Sequence, residues 1–245
     1  MRTQLEPAYV LHHRPYRDTS RILELFTRTH GRVCVFARGA RAGRKSAASL
    51  SSMLQPFNRL LVSWSGRGEA GQLTAAEFDG AVRAMPPKQL VNGFYVNELL
   101  LKLFARHDPH PDTFELYAHT VESLKDGGNP ASHLRLFEKR LLEMLGYGLA
   151  LERESATGAP IDPQALYHYR LEHGLVRALD VAEGAMIFSG STLRALARED
   201  FGDPTVCSDA RRLFRAVLDR ILDGQELKTR SVMLALRRGR DRPAT

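Results

Sequence analysis

The chain has 245 residues, 43% hydrophobic and 26% charged, enough to bury one large core or two modest ones. No apolar run reaches the roughly 18–20 residues of a membrane span, and Met1 to Pro7 carry no apolar secretory segment. Two isolated cysteines, Cys34 and Cys207, exclude a disulfide scaffold and a four-cysteine zinc site.

These features predict a soluble, cytoplasmic protein. Net charge is +7, and its distribution is uneven. Residues 1–80 hold 12 Lys and Arg against 6 Asp and Glu, residues 81–203 hold 13 against 17, and residues 204–245 hold 10 against 5. Basic ends around a mildly acidic middle point to nucleic acid or an acidic peptide as partner. Arginine outnumbers lysine 29 to 6, and guanidinium forks match phosphate oxygens.

In chain order, five short strands come first: Ala8–His13, Arg21–Thr27, Arg32–Arg38, Phe57–Trp64 and Leu73–Phe78. Turn chemistry separates them at 14–18, at His30-Gly31, over the Gly/Ser/Arg stretch 39–52 and over the glycine-rich 65–71. Alternation places Val33, Val35 and Ala37 on one face, and Cys34, Phe36 and Arg38 on the other. Five antiparallel strands in so short a stretch are best protected as a closed barrel, for which the OB-fold is the five-stranded candidate.

After Met85-Pro86-Pro87 the hydrophobic period lengthens to that of a helix. Leu90–Arg106 is the first helix, and Asp112 with Glu115 makes a capping-box pattern for a second, ended by Gly127-Gly128. Pro130 opens a third, closed by Gly146-Tyr147-Gly148. Residues 149–190 lose helical periodicity and read as a small irregular or β insertion. Helix returns at 191–198, at 208–222 with Ser208 as N-cap, and at 229–238. The fold class is α+β: an OB-fold barrel over 1–80, then a helical domain over 81–245 carrying the insertion.

Several motifs dissolve on inspection. Gly66-Arg-Gly-Glu-Ala-Gly71 has the glycines of a dinucleotide loop, but no helix follows and position 91 is valine where an acid is needed. Gly39 to Ser46 misses the phosphate-loop spacing by one residue. His107, His110, His168 and His173 lack a cysteine or a helical i, i+4 frame to complete a metal site. No nucleophile motif occurs, so no catalytic residue is assigned.

What remains is cationic. Arg38, Arg41, Arg44 and Lys45 line an acid-free loop of small residues, and Arg14 and Arg17 occupy another turn of the same domain. These six are the candidate DNA-phosphate contacts, with Arg211, Arg212 and Arg215 as a second set. Tyr16 and Phe36 could stack on bases, although the barrel core is the expected place for Phe36. Arg135, Lys139 and Arg140 flank the apolar stripe of the third helix and are the candidate contacts for an acidic peptide with a hydrophobic end. An ordinary amphipathic helix is the simpler account of them. The alternative reading is a non-enzymatic protein-binding adaptor without direct DNA contact; an enzyme acting on nucleic acid is a remote third.

The run Val10-Leu-His-His-Arg-Pro-Tyr-Arg-Asp-Thr-Ser20 resembles the bacterial RecO family, as do Leu25 to Val33 and Ala37-Arg-Gly-Ala-Arg41. So do Leu54-Gln-Pro-Phe57, Val62 to Gly68, Asn97-Glu-Leu99, Phe137-Glu138, Leu145-Gly-Tyr-Gly148 and Leu227-Lys-Thr-Arg230. These segments follow the family's order along nearly the whole chain. The resemblance implies a non-enzymatic mediator of DNA repair and homologous recombination, located in the cytoplasm with the nucleoid. It would bind single- and double-stranded DNA and anneal complementary strands. With RecR, and with RecF and RecA as indirect partners, it would help load RecA on strands coated by single-stranded DNA-binding protein, whose acidic C-terminal tail it would dock. Many relatives carry a four-cysteine zinc site after the Leu-Gly-Tyr-Gly turn. Residues 149–175 hold no cysteine here, with Glu154 and Thr157 in that region, so no cofactor is expected.

Overall fold

The structure is a computed structural model that describes residues 2–40, 50–66, 69–170, 173–178 and 186–240. The chain forms two compact units, Met1–Gly128 with Leu227–Thr245, and Asn129–Glu226.

The first unit is built on five strands, β1 (Arg2–Tyr16), β2 (Ser20–Thr27), β3 (Gly31–Ala37), β4 (Arg59–Ser65) and β5 (Ala70–Phe78). They close as a barrel in the order β1-β2-β3-β5-β4, the OB-fold arrangement. β1 is longer than its hydrophobic run predicts because it serves two neighbours. Residues 2–9 pair with β4, residues 8–16 pair with β2, and a bulge between Val10 and His12 bends the strand from one to the other. The strands are not all antiparallel, as the sequence reading had them. β3 and β5 run parallel, joined only over Cys34–Phe36 and Ala70–Gln72, and this pair completes the cylinder.

Ala8, Val10, Leu23, Leu25, Val33, Val35, Leu60 and Val62 fill the interior. Residues 50–53, expected as loop, are helical. Leu50, Met53 and Leu54 pack against the interior, and the Arg21 guanidinium donates to Ser51 Oγ at 2.8 Å. Gly31 turns β2 into β3 at φ +64°; a Cβ there would lie 2.0 Å from the Asp108 carbonyl oxygen.

Helices α1 (Leu90–Leu103) and α2 (Pro111–Asp126) belong to the same compact unit as the barrel. The reason is a polar and aromatic seam. Buried Asn97 of α1 donates to the Leu11 carbonyl at 2.8 Å, at the β1 bulge, and accepts from Tyr117 Oη of α2 at 2.8 Å. Around it Tyr9 meets Tyr117 and Phe114 at 4.9 and 5.6 Å between centroids, and Phe26 meets Phe104 at 6.4 Å. Each such ring pair adds about 0.5–1.5 kcal/mol to its area burial. Arg32 of β3 donates to the Leu101 and Phe104 carbonyls at 2.6 and 2.5 Å, placing a cation on the C-terminal end of α1. The expected capping box of α2 does not form: the helix opens at Pro111 with no side-chain cap, and Glu115 pairs instead with Arg28 at 3.1 Å. The C-terminal helix α6 (Lys228–Arg240) also joins this unit, its first N–H groups held by the Glu98 carboxylate at 2.8 and 2.9 Å.

The second unit contains α3 (Pro130–Met144), a sheet of β6 (Leu166–Arg170), β7 (Gly174–Arg177) and β8 (Ile187–Ser189), then α4 (Gly190–Ala197) and α5 (Pro204–Ile221). The sheet, in the order β7-β6-β8, is the expected β insertion. α3 packs on α5 through an apolar layer in which Phe137, Leu141, Leu213 and Phe214 are fully buried. The N-cap of α5 is Asp203, which accepts from the Thr205 N–H at 2.6 Å, and not Ser208. Asp-Pro-Thr at 203–205 starts the helix one turn before the apolar stripe does.

Candidate nucleic-acid interface

In a barrel, residues in register across neighbouring strands share a face. Leu23 and Val35 are opposite one another and point into the core. The adjacent rows therefore point out. One contains Arg14, Ile22, Phe36 and Gln72; the next contains His12, Glu24, Cys34 and Ala70. Tyr16, two residues beyond Arg14, pairs with Ser20 at the rim of the same face, and Arg38 follows two residues after Phe36.

Arg14, Tyr16, Arg17 and Arg38 are all exposed. Phe36 is not in the barrel core, contrary to expectation. It lies half-buried on the outer surface with its centroid 5.1 Å from that of Tyr16. Arg17 adopts φ +52° in the β1–β2 turn, and its guanidinium sits over the Tyr16 ring at 5.3 Å. A non-glycine residue held in that region of φ is uncommon and concentrates at working surfaces. Among the described residues, neither Arg14 nor Arg38 has an ion-pair partner, so their charges face solvent uncompensated. Arg41, Arg44 and Lys45, which continue from Arg38 along the chain, lie outside the described residues.

Glu24, an acid in the second of these rows, is neutralised. Glu24 pairs with Arg32 at 3.4 Å, and Arg106 Nε donates to it at 3.2 Å. Arg106 is a cation of this surface that sequence reasoning missed. It enters because residues 105–107 run alongside β3, bridging Arg32 to Arg106, and nothing in its local sequence announces that contact. Cys34, in the same row as Glu24, is buried, and burial pushes its thiol up. It is an apolar filler here and not a nucleophile.

Comparison with known proteins decides what carries this face. The family model described as Recombination protein O N terminal matches residues 1–80, and the Recombination protein O C terminal model matches 87–231. The chain belongs to the RecO family. Among its relatives are proteins named DNA repair protein RecO from Nitrosococcus oceani, 45% identical over 97% of this chain and 96% of the relative, and from Methylococcus capsulatus, 45% identical over 94% and 93%. A third, from Ralstonia nicotianae, is 39% identical over 97% of this chain and 86% of the relative.

Within this RecO-family chain the helical-unit cations are in a different state from the barrel arginines. Arg135 is buried and pairs with Glu138 at 2.6 Å. Lys139, also buried, reaches Glu143 at 2.7 Å and Glu199 at 3.4 Å, and the half-exposed Arg140 binds Glu199 at 2.7 Å. The Arg140 hydrogen bond holds the Glu199 carboxyl below its ordinary range, against the opposing effect of its partial burial. Arg135 and Lys139 thus face inward to carboxylates rather than rimming an open groove. On α5, Arg212 pairs with Asp209 at 3.2 Å and lies over the Phe188 ring at 4.5 Å, Arg215 pairs with Asp219 at 3.5 Å, and Arg211 is half-buried.

After the Leu-Gly-Tyr-Gly turn, described residues are joined by local hydrogen bonds. The buried Glu154 carboxylate accepts from Thr157 Oγ1 at 2.8 Å, and the Gly158 N–H donates to the Glu154 carbonyl at 2.9 Å. The Ser155 N–H donates to the Leu175 carbonyl at 2.8 Å. Among the described residues no three His, Cys, Asp or Glu side chains converge as metal ligands, and no helix is long and apolar enough to cross a membrane.

Proposed function

We propose that this RecO-family chain is a non-enzymatic mediator of DNA repair and recombination that binds DNA through the outer face of its barrel. Arg14, Arg17 and Arg38, continued by Arg41, Arg44 and Lys45 along the chain, take phosphates; they position the strand and do not read its sequence. One contrast carries the reading: Arg14 and Arg38 lack internal acid partners among the described residues, whereas the candidate cations of α3, and Arg212 and Arg215 of α5, are paired with carboxylates. A charge already matched inside the protein gains little from a phosphate, while an unmatched surface guanidinium exchanges condensed counterions for protein.

The relatives' shared name supports a place in DNA repair. In this reading the chain binds single and double strands, anneals complementary ones and works with RecR, and indirectly RecF and RecA, on strands coated by single-stranded DNA-binding protein. The acidic tail of that coating protein docks on the helical unit, with Arg140 as the accessible cation of α3. Arg211, Arg212 and Arg215 then provide at most a secondary DNA contact. The chain works in the cytoplasm and without zinc, hydrogen bonds such as Glu154–Thr157 shaping the turn that cysteines hold in many relatives.

An annealing assay tests the reading. Complementary labelled oligonucleotides, bare or coated by single-stranded DNA-binding protein, are followed by quenching with and without the chain. Acceleration on both is the expected result. No acceleration, together with no DNA binding at low salt, would leave a protein-binding adaptor instead.

A further inference from the structure

Phosphate contact needs only cations, yet the centre of this face is aromatic. Tyr16 is 36% exposed and Phe36 half-buried, their centroids 5.1 Å apart and planes inclined at 49°. Neither ring contributes to the barrel interior, which is aliphatic. Around the pair stand Arg14, two residues before Tyr16, Arg17 over its ring, and Arg38, two residues after Phe36. Aromatic faces between phosphate-binding cations are what a strand with accessible bases requires.

We infer that Tyr16 and Phe36 form a stacking platform for unpaired bases, so that this face prefers single-stranded DNA to duplex. The inference rests on the DNA-binding reading above. In a duplex the π-faces of the bases are spent on one another, and only the phosphates reach the arginines; a single strand offers both. The guanidinium of Arg17 already covers part of Tyr16, so a base must displace it. An exposed cation–π contact is worth only about 2- to 5-fold in affinity, while a stacked base is worth on the order of 10-fold or more. Stacking therefore outweighs the cation–π contact.

Three probes of about 15 nucleotides, within the site size of an OB-fold, test this with the full chain. They are oligo-dT, an abasic strand of the same length, and a duplex. The wild type should bind oligo-dT on the order of 10-fold more tightly than the abasic strand. Y16A should lose that advantage while leaving abasic and duplex affinities unchanged, and Y16F should retain it. F36L, which preserves apolar volume at the half-buried position, should lose part of it. Emission from Trp64, the single tryptophan, checks that each variant is folded. Equal wild-type affinity for dT and abasic strands would overturn the platform and leave the phosphate reading intact. Failure to bind any of the three probes would overturn both.

Discussion

Asn97 of α1 ties the β1 bulge to α2, and its replacement has a calculable cost. The side chain is 2% exposed, donates to the Leu11 carbonyl and accepts from Tyr117 Oη. Asn97→Ala leaves both partners buried without a hydrogen bond. An orphaned buried group costs about 1–3 kcal/mol, so the pair, partly relieved by relaxation, should cost about 2–4 kcal/mol. At about 2–4 °C per kcal/mol for a body of this size, the Trp64-detected midpoint should fall by roughly 4–16 °C. Asn97→Asp sharpens the test. An ionised carboxylate accepts from Tyr117 but meets the Leu11 carbonyl as a second acceptor, while the protonated acid can donate to it. Burial raises the native pKa of such an acid above its unfolded value, so stability is fully present below the unfolded pKa and is lost as pH rises through the native one. Relative to wild type, Asn97→Asp should therefore be less destabilised at pH 4 than at pH 8. An Asn97→Ala variant within 1 kcal/mol of wild type, or an Asn97→Asp deficit independent of pH, would refute this account of the seam.

Gly31→Ala should be much worse than Gly39→Ala although both sit near φ +65–70°. The left-handed backbone alone costs roughly 1–2 kcal/mol, but only position 31 also drives a Cβ into the Asp108 carbonyl; equal midpoints in denaturant melts would contradict this. Glu98→Ala should release the N-terminus of α6 at a cost of about 1–2 kcal/mol, in the range of a lost N-cap, read as faster amide exchange over 228–236 with the barrel unchanged. Glu199→Gln removes a carboxylate whose native pKa is lowered, so its contribution is present above the unfolded value of about 4.3 and lost as pH falls below it. The stability gap between wild type and Glu199→Gln should therefore close in acid, and a gap that persisted there would contradict the Lys139–Glu199–Arg140 pairing.

The barrel was legible because its strands alternate: Val33, Val35 and Ala37 had to turn inward once any sheet formed. Helix interiors were legible for the same reason at longer period. Helix starts were less so, since Asp112 and Ser208 fit the N-cap pattern while Pro111 and Asp203-Pro204 actually open the helices. The parallel β3–β5 pair could not be read at all, because strand direction in a barrel is a property of closure and not of either segment. At the site, Arg14, Arg17 and Arg38 stood out as cations in turns. Phe36 was misplaced because alternation tells which residues share a face but not how large a hydrophobe the outer face tolerates beside Tyr16. Arg106 was invisible, as its place depends on a contact with β3 across more than 70 residues of sequence. The cations of α3 were read from one helix alone, and the acid that occupies Lys139 and Arg140, Glu199, follows a different helix.

The most direct test of the central claim is the salt dependence of single-strand binding by the wild type and by a triple variant, R14Q/R17Q/R38Q, measured by fluorescence anisotropy. Each phosphate contact contributes about −0.7 to the slope of log K against log salt on a single strand. Three lost contacts should therefore flatten the slope by about 2 and reduce affinity at low salt for every sequence alike. A folded triple variant with the wild-type slope would place the DNA elsewhere on the molecule and contradict the assignment of the barrel's outer face.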